Sequence, residues 1–318
     1  MKTKSFLRKF FNARETGILI PLILLCLLIG IMNPVFYSFG NINDVLRSTS
    51  YILIISIGMT FVLIAAGLDL SVGSFLALCG LLCGICLKSG VPIPLAIFIG
   101  LLSGVAGGLF NALVVVKFSI PPLITTLGTM YMARGLVLVV TKGTPIYPLP
   151  AAFSQFSLGS LFGIPYVVII TAILALLANW ILKHTIYGRK VYAIGGNEET
   201  ARYSGINVNR IKASVYIIVT TLAALSGILM ASRLGSAQPS IGDGYEMQVI
   251  TAVIIGGTSL NGGSGTILGT VFGALFMSVL YNGMNLVGVS AYWQKFVMGL
   301  IIVFAVGLDQ YKRNKIKA

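Results

Sequence analysis

Charge is scarce in this sequence. Asp, Glu, Lys and Arg make up 9% of its 318 residues, against about 25% in an ordinary soluble domain. With 57% hydrophobic residues, a water-soluble fold of this length would have to expose much of its apolar side-chain area. Acids are scarcest, 8 against 22 Lys and Arg, and histidine occurs once, at His184. That shortage argues against a membrane-embedded enzyme, which needs general acids and bases within its spans. The dipeptide Gly-Lys does not occur, so the chain carries no Walker A phosphate loop. Period-two alternation is missing as well, which removes the lipid-spanning β-barrel. Four cysteines (Cys26, Cys79, Cys83, Cys86) all sit in apolar stretches and outline no disulfide framework.

Long uncharged runs are what the chain has instead, among them residues 17–32, 51–66, 93–116 and 217–231. A helix needs about 20 mostly apolar residues to cross about 30 Å of hydrocarbon. Backbone amides in lipid must satisfy one another, so these runs are expected to be helices. The pattern predicts an all-α polytopic membrane bundle, a single transmembrane domain over 1–318. About ten spans are expected, some broken: 17–37, 50–66, 72–87, 93–116, 123–140, 165–182, 213–232, 247–258, 264–284 and 292–308. The first follows a basic start (Lys2, Lys4, Arg8, Lys9, Arg14) with no small-x-small cleavage site after it, and is expected to remain as an uncleaved span. Three basic regions stand out: the amino terminus, 183–212, and 312–317. The positive-inside rule places all three, and hence both termini, in the cytoplasm, with six spans before 183–212 and four after it. Orientation thus explains the +14 net charge, and nucleic acid is not an expected partner.

Glycine marks how the helices meet. Gly100, Gly104 and Gly108 recur every fourth residue, as do Gly80 with Gly84 and Gly269 with Gly273. Such ridges let helix backbones approach closely in lipid. Two further glycine-rich stretches, 65–74 and 255–264, align without gaps through Gly67/Gly257, Leu70/Leu260, Gly73/Gly263 and Ser74/Ser264. Paired interruptions of this kind point to a transport path, and tight turns between adjacent spans produce the same pattern. Asp69, Ser71, Gly73, Thr258, Ser259 and Asn261 are the candidates they contain. An ionisable group at membrane depth marks function by default. An Asp preceding Leu-Ser-Val-Gly-Ser also caps the following helix, and capping is the expectation for Asp69.

The stretch 183–212 should hold a short helix. Asn197 suits its N-cap, Glu198 and Glu199 its first turn, and Gly205 the left-handed residue beyond its end. Such a helix can dock a soluble partner or rest on the lipid surface. The external stretch 141–164, with Pro145, Pro148, Pro150 and several aromatics, is too polar and broken to span, and reads as a connecting loop or a docking surface. Gln238, Asp243 and Glu246 lie in an external segment where a binding protein could touch them, or where they are simply solvated. Cys79, Cys83 and Cys86 share one helical face, but read as packing residues; no metal site is expected. Arg134 either snorkels outward or pairs with an acid. Polar groups suited to a sugar (Tyr51, Asn111, Thr125, Tyr281, Asn282) are many and unranked.

The run Gly195-Gly-Asn-Glu-Glu-Thr-Ala-Arg-Tyr-Ser-Gly-Ile206 resembles the cytoplasmic coupling loop of bacterial sugar-uptake permeases of the ABC type, the ribose permease family. Gly67–Gly73, Ser232–Pro239, Gly256–Leu260 and Asn282–Val289 match the same family in order along the chain. The resemblance implies a permease subunit in the bacterial inner membrane, with no ATP site or other cofactor of its own. A separate cytoplasmic ATP-binding subunit would act on the loop through Gly195, Gly196, Asn197, Glu198, Glu199, Arg202 and Gly205. Gly195, Gly196 and Gly205 would serve there as hinges and caps. A solute-binding protein would deliver a sugar to the outer face, and a second permease copy, identical or related, would complete the path. Family members handle ribose, other pentoses, galactose, allose or autoinducer-2, so the solute stays open. The competing reading is an ion-coupled secondary transporter working through Asp69.

Overall fold

The structure, a computed structural model, describes residues 18–317, with backbone alone at 308–309 and from 311 onward. The basic start of the chain and the side chains of the basic tail lie outside these residues. Apart from one short antiparallel hairpin, β1 (Ser160–Leu161) with β2 (Ile164–Pro165), the regular structure described is helical.

The first half contains α1 (Leu19–Met32), α2 (Phe39–Ile64), α3 (Val72–Lys88), α4 (Ile93–Ala112, prolonged by a π-helical turn to Lys117), α5 (Pro122–Thr141) and α6 (Ala151–Leu158). The second contains α7 (Tyr166–His184), α8 (Ile186–Gly196), α9 (Glu198–Tyr203), α10 (Val208–Leu234), α11 (Tyr245–Ile255), α12 (Ile267–Leu286) and α13 (Ala291–Lys317). Six of these are long and apolar enough to cross a membrane: α2, α4 with its extension, α5, α7, α10 and α12. Four shorter apolar helices, α1, α3, α11 and the apolar part of α13, fall where the other expected spans lie.

Several boundaries differ from the sequence reading, for local reasons. α1 stops at Met32 because Asn33-Pro34 opens a 3-10 turn, with Asn33 Oδ1 accepting from Val35 N. α2 starts at Phe39, eleven residues before its expected span, and its polar first turns are used rather than exposed. Ser38 caps it through Asn41 N, Asn41 and Asn282 exchange side-chain hydrogen bonds, and Arg47 donates to the carbonyl oxygens of Ser157 and Leu158. α11 is 11 residues long, about 16 Å at 1.5 Å per residue, which is half a bilayer. Glycines in the left-handed region bound it, Gly244 at φ 77° and Gly257 at φ 92°. The stretch 141–164 is more ordered than a plain loop, since it holds α6 and β1.

Burial sorts the helices by layer. The most apolar window of α2 is 89% buried, whereas that of α7 is 22% buried. α2 is therefore the central strut. α4, α5 and α7 present Phe98, Leu102, Ile124, Val139 and Leu176 outward, an apolar exterior that suits hydrocarbon. α10 packs across α2, α3 and α4, and its approach to them depends on missing side chains. A Cβ on Gly104 would stand 2.6 Å from the Ala224 methyl and 2.9 Å from Thr220 O. One on Gly80 would stand 2.8 Å from Gly227 O, and one on Gly227 would overlap Leu76 O. The ridge glycines thus sit at helix crossings. Hydroxyl pairs add directional contacts, as between Thr60 and Thr270 at 2.6 Å, joining α2 to α12.

Gly104→Leu should therefore destabilise the bundle by about 1–3 kcal/mol or more, as overpacking does. Gly128→Leu, where a Cβ meets nothing within 4 Å, should be nearly neutral. Thermal unfolding of the two variants in detergent checks the contrast; equal melting temperatures would contradict the packing role.

Candidate functional site

One end of the bundle carries α8 and α9. Thr185 caps α8 by accepting from Gly188 N, and Asn197 caps α9 by accepting from Thr200 N at 2.8 Å. Glu198 and Glu199 occupy the first turn of α9, and Gly205 follows it at φ 79°. The predicted short helix is therefore present with its predicted cap. α8 is an addition, and it changes the reading of Gly195 and Gly196. Both are helical, at the carboxy end of α8, where the resemblance implied hinges and caps.

α9 is fastened to the bundle. Ala201 packs with Ile194 and Val208 in a small apolar cluster. Glu198 accepts from Lys212 on α10 at 2.5 Å and from Arg202 at 3.3 Å. Partial burial would raise the Glu198 pKa, but Lys212 and Arg202 outweigh it and hold the carboxyl below its ordinary value. A depressed carboxyl stabilises the fold above the unfolded pKa and loses that contribution as pH falls through the folded value. At neutral pH the tie is intact. Opposite the tie, Tyr203 projects from α9, 83% exposed.

The two glycine-rich breaks converge beside α8. The first follows α2, the second links α11 to α12, so each does connect consecutive helices. They also meet. Gly263 N donates to Ile64 O at 2.9 Å, and a Cβ on Gly262 would stand 2.8 Å from that of Ala66. Gly195 completes the contact: a Cβ there would overlap Ile64 O and stand 2.5 Å from Gly263 N. Tyr192 on α8 donates to Gly265 O at 2.7 Å. Thr258 and Ser259 are buried in the second break, and Asn261 N donates to Ser259 Oγ within its turn.

Asp69 lies in non-helical backbone between α2 and α3 and is fully buried. It does not cap α3 as expected. The N-cap is Ser71, without a side-chain cap bond. Asp69 Oδ1 accepts from the Ser71 amide at 2.8 Å and from the Ser71 hydroxyl at 2.5 Å, an Asx turn before the helix. Its Oδ2 accepts from Asn111 Nδ2 on α4 at 3.2 Å. Asn111 also donates to Ser71 Oγ, while its own Oδ1 has no partner among the described residues. Of the polar groups suited to a sugar, Asn111 is therefore committed to Asp69, Tyr51 to Ser157 at 2.5 Å, and Asn282 to Asn41.

The opposite end of the bundle gathers Arg47, Lys88, Arg233 and the 141–164 segment. Lys88 donates to Tyr147 O, and Arg233 pairs with Asp44 at 3.3 Å. Below this rim a cleft of about 320 Å³ is lined by Arg134, Leu138, Gly143, Pro145, Gln238, Pro239, Ser240 and Asp243. Arg134 neither snorkels nor forms a direct acid pair: it donates to Pro239 O at 2.9 Å and Ile241 O at 3.0 Å. Gln238 and Asp243 line the cleft; Glu246 is not in its lining but lies close by, its Oε2 2.5 Å from where a Cβ on Gly73 would be and within electrostatic reach of Arg134 and Asp243. Cys79 and Cys83 are buried and form no disulfide, and no metal-binding group of side chains occurs among the described residues.

The family described as branched-chain amino acid transport system / permease component matches residues 41–306. The chain belongs to this permease family. Its relatives match it nearly end to end. It is 44% identical over 302 residues to the ribose import permease protein RbsC of Bacillus subtilis, covering 94% of each chain. RbsC of Escherichia coli K12 is 42% identical over 313 residues, 96% of this chain and 98% of that one. The autoinducer 2 import system permease protein LsrC of Salmonella typhi is 34% identical over 298 residues, 94% of this chain and 86% of the relative. No solved structure matches. Permease components are transport subunits, not enzymes, which agrees with the shortage of acids and bases inside the bundle.

Sequence reasoning missed two residues at this permease's candidate sites. Tyr203 gave no signal, because an aromatic in a basic loop also suits a membrane interface. Arg134 as a clamp on backbone carbonyls was illegible, because its acceptors lie more than a hundred residues away. If the Asp69 carboxylate chiefly organises the non-helical segment, Asp69→Ala should cost about 1–3 kcal/mol for each donor left unsatisfied. Asp69→Asn should be milder, since its amide can donate to the free Asn111 Oδ1 once that amide turns. Thermal unfolding compares them; equal damage would assign the role to the negative charge.

Proposed function

We propose that this chain is the membrane-spanning subunit of an ATP-driven, binding-protein-dependent sugar importer of the bacterial inner membrane. Likeness to ribose import permeases over nearly the whole chain carries the reading, and favours a ribose-like monosaccharide over the solute of the more distant LsrC. The family description names amino acids, yet relatives within it import ribose and autoinducer 2, so the description alone does not choose the solute.

The bundle is read as ten spans, with α1, α3, α11 and α13 completing the six long ones, and with both termini in the cytoplasm. Lys117, Arg189, Lys190 and Arg210 at the α8–α9 end support that side as the inner one. A separate subunit binds and hydrolyses ATP there and presses on α9. Tyr203 is the knob that enters it, with Glu199 beside it and Glu198 turned back to Lys212 as the anchor. At the outer end the Arg134 cleft, with Gln238 and Asp243, receives the solute-binding protein. A second permease copy, identical or related, shares the apolar exterior with lipid. The ion-coupled alternative gains nothing from the relatives, and Asp69 is occupied by Ser71 and Asn111.

Uptake in vesicles holding the whole complex tests this reading. ATP should sustain sugar uptake after proton and sodium ionophores have collapsed both gradients; uptake that stops with the gradients would overturn it. On the same reading Tyr203→Ala, which removes an exposed side chain and no internal contact of the core, should cost about 2 kcal/mol or more of ATPase association, as buried aromatic anchors do. Unchanged co-purification of the ATPase subunit would remove Tyr203 from the interface.

A further inference from the structure

At Gly195, the end of α2 and the second break meet the end of α8 in direct backbone contacts. Gly195 lies against Ile64 O and Gly263 N, Gly263 N–H is bonded to Ile64 O at 2.9 Å, and a Cβ on Gly262 would stand 2.9 Å from Gly195 O. Two side-chain hydrogen bonds fix α8 on either side of this contact. Tyr187 shares a hydrogen bond of 2.7 Å with Ser214 of α10, and Tyr192 donates to Gly265 O at 2.7 Å. On α5, by contrast, a Cβ on Gly128 would meet nothing within 4 Å.

We infer that Gly195 and Gly263 are positioning residues of a rigid coupling joint, through which displacement of α8–α9 moves the end of α2 and the α11–α12 turn together. The physical ground is stiffness. A long side chain between two elements absorbs a displacement by changing rotamer, whereas peptide groups in direct contact have no such freedom. Ile64 leads straight into the non-helical segment that holds Asp69, and Gly262–Gly263 lie in the turn that follows the half-length α11. A push passed to α8 therefore reaches both interruptions of the bundle at once through the backbone at Gly195. The inference rests on the proposed ATP-driven reading, and adds to it the route by which the push enters the membrane.

The test uses the complete transporter, reconstituted with its ATPase and binding protein, and records ATP hydrolysis and sugar uptake on the same vesicles. In Gly195→Ala the ratio of uptake to hydrolysis should fall about tenfold, within the range by which residues along a coupling route alter coupling, while hydrolysis itself persists. Gly128→Ala, on α5 and away from the contact, should leave the ratio unchanged. Tyr192→Phe keeps the ring and loses the bond to Gly265 O, and should lower the ratio by about threefold. A merely structural role would reduce uptake and hydrolysis in parallel, and that result overturns the joint. Should Gly195→Ala fail to assemble, the Tyr192→Phe ratio decides, an unchanged value counting against the joint. Loss of ATP-dependent uptake in the parent complex is a different failure, because it removes the ATP-driven reading beneath the joint.

Discussion

A peptide group inside a membrane must find its hydrogen-bond partner in protein, and leaving it without one costs several kcal/mol. Regular helices meet this demand by themselves. The backbone between Ile64 and Val72 does not, and the surrounding structure is arranged around it. Asp69 and Asn111 organise its second half; in the first half the amides of Ala65, Ala66 and Gly67 bond back to α2, and Gly263 N closes Ile64 O. Tyr216 of α10 covers it, its hydroxyl 3.0 Å from where a Cβ on Gly67 would stand. Non-helical backbone at this depth is tolerated only where protein or a water-filled path encloses it. Here protein does.

Close packing supplies the enclosure. α10 lies against α2, α3 and α4 because Gly58, Gly80, Gly104 and Gly108 lack side chains at the crossings. In lipid there is little hydrophobic gain from bringing apolar helices together, so van der Waals contact and hydroxyl bonds carry the association. The same economy of side chains recurs at Gly195, Gly262 and Gly263, where three separate segments meet backbone to backbone. Packing and transmission thus share one device. A bundle built this way is stiff where its glycines touch.

Much of this was legible in the sequence, for identifiable reasons. Local features read well: Asn197, Glu198, Glu199 and Gly205 describe a capped helix by residue type alone, and the fourfold spacing of Gly100, Gly104 and Gly108 describes a contact face. The internal alignment of 65–74 with 255–264 pointed to paired breaks. That these breaks touch each other, and touch Gly195, depends on how helices far apart in sequence are brought together. Asp69 misled for a related reason. Its spacing to Ser71 and Val72 suits a cap, but Asn111, forty-two residues away, draws the carboxylate toward α4. The polar turns at the start of α2 read as loop because their partners, Asn282, Ser157 and Leu158, belong to other segments.

On the proposed reading, α9 and the three-glycine contact face the cytoplasm, and the Arg134 cleft faces outward. Labelling with a membrane-impermeant thiol reagent reads that direction, in a background where Cys26, Cys79, Cys83 and Cys86 are replaced. Tyr203→Cys should react only in inverted vesicles and Tyr147→Cys only in right-side-out cells. The reverse pattern would place the coupling helix beyond reach of any cytoplasmic ATPase and contradict the account.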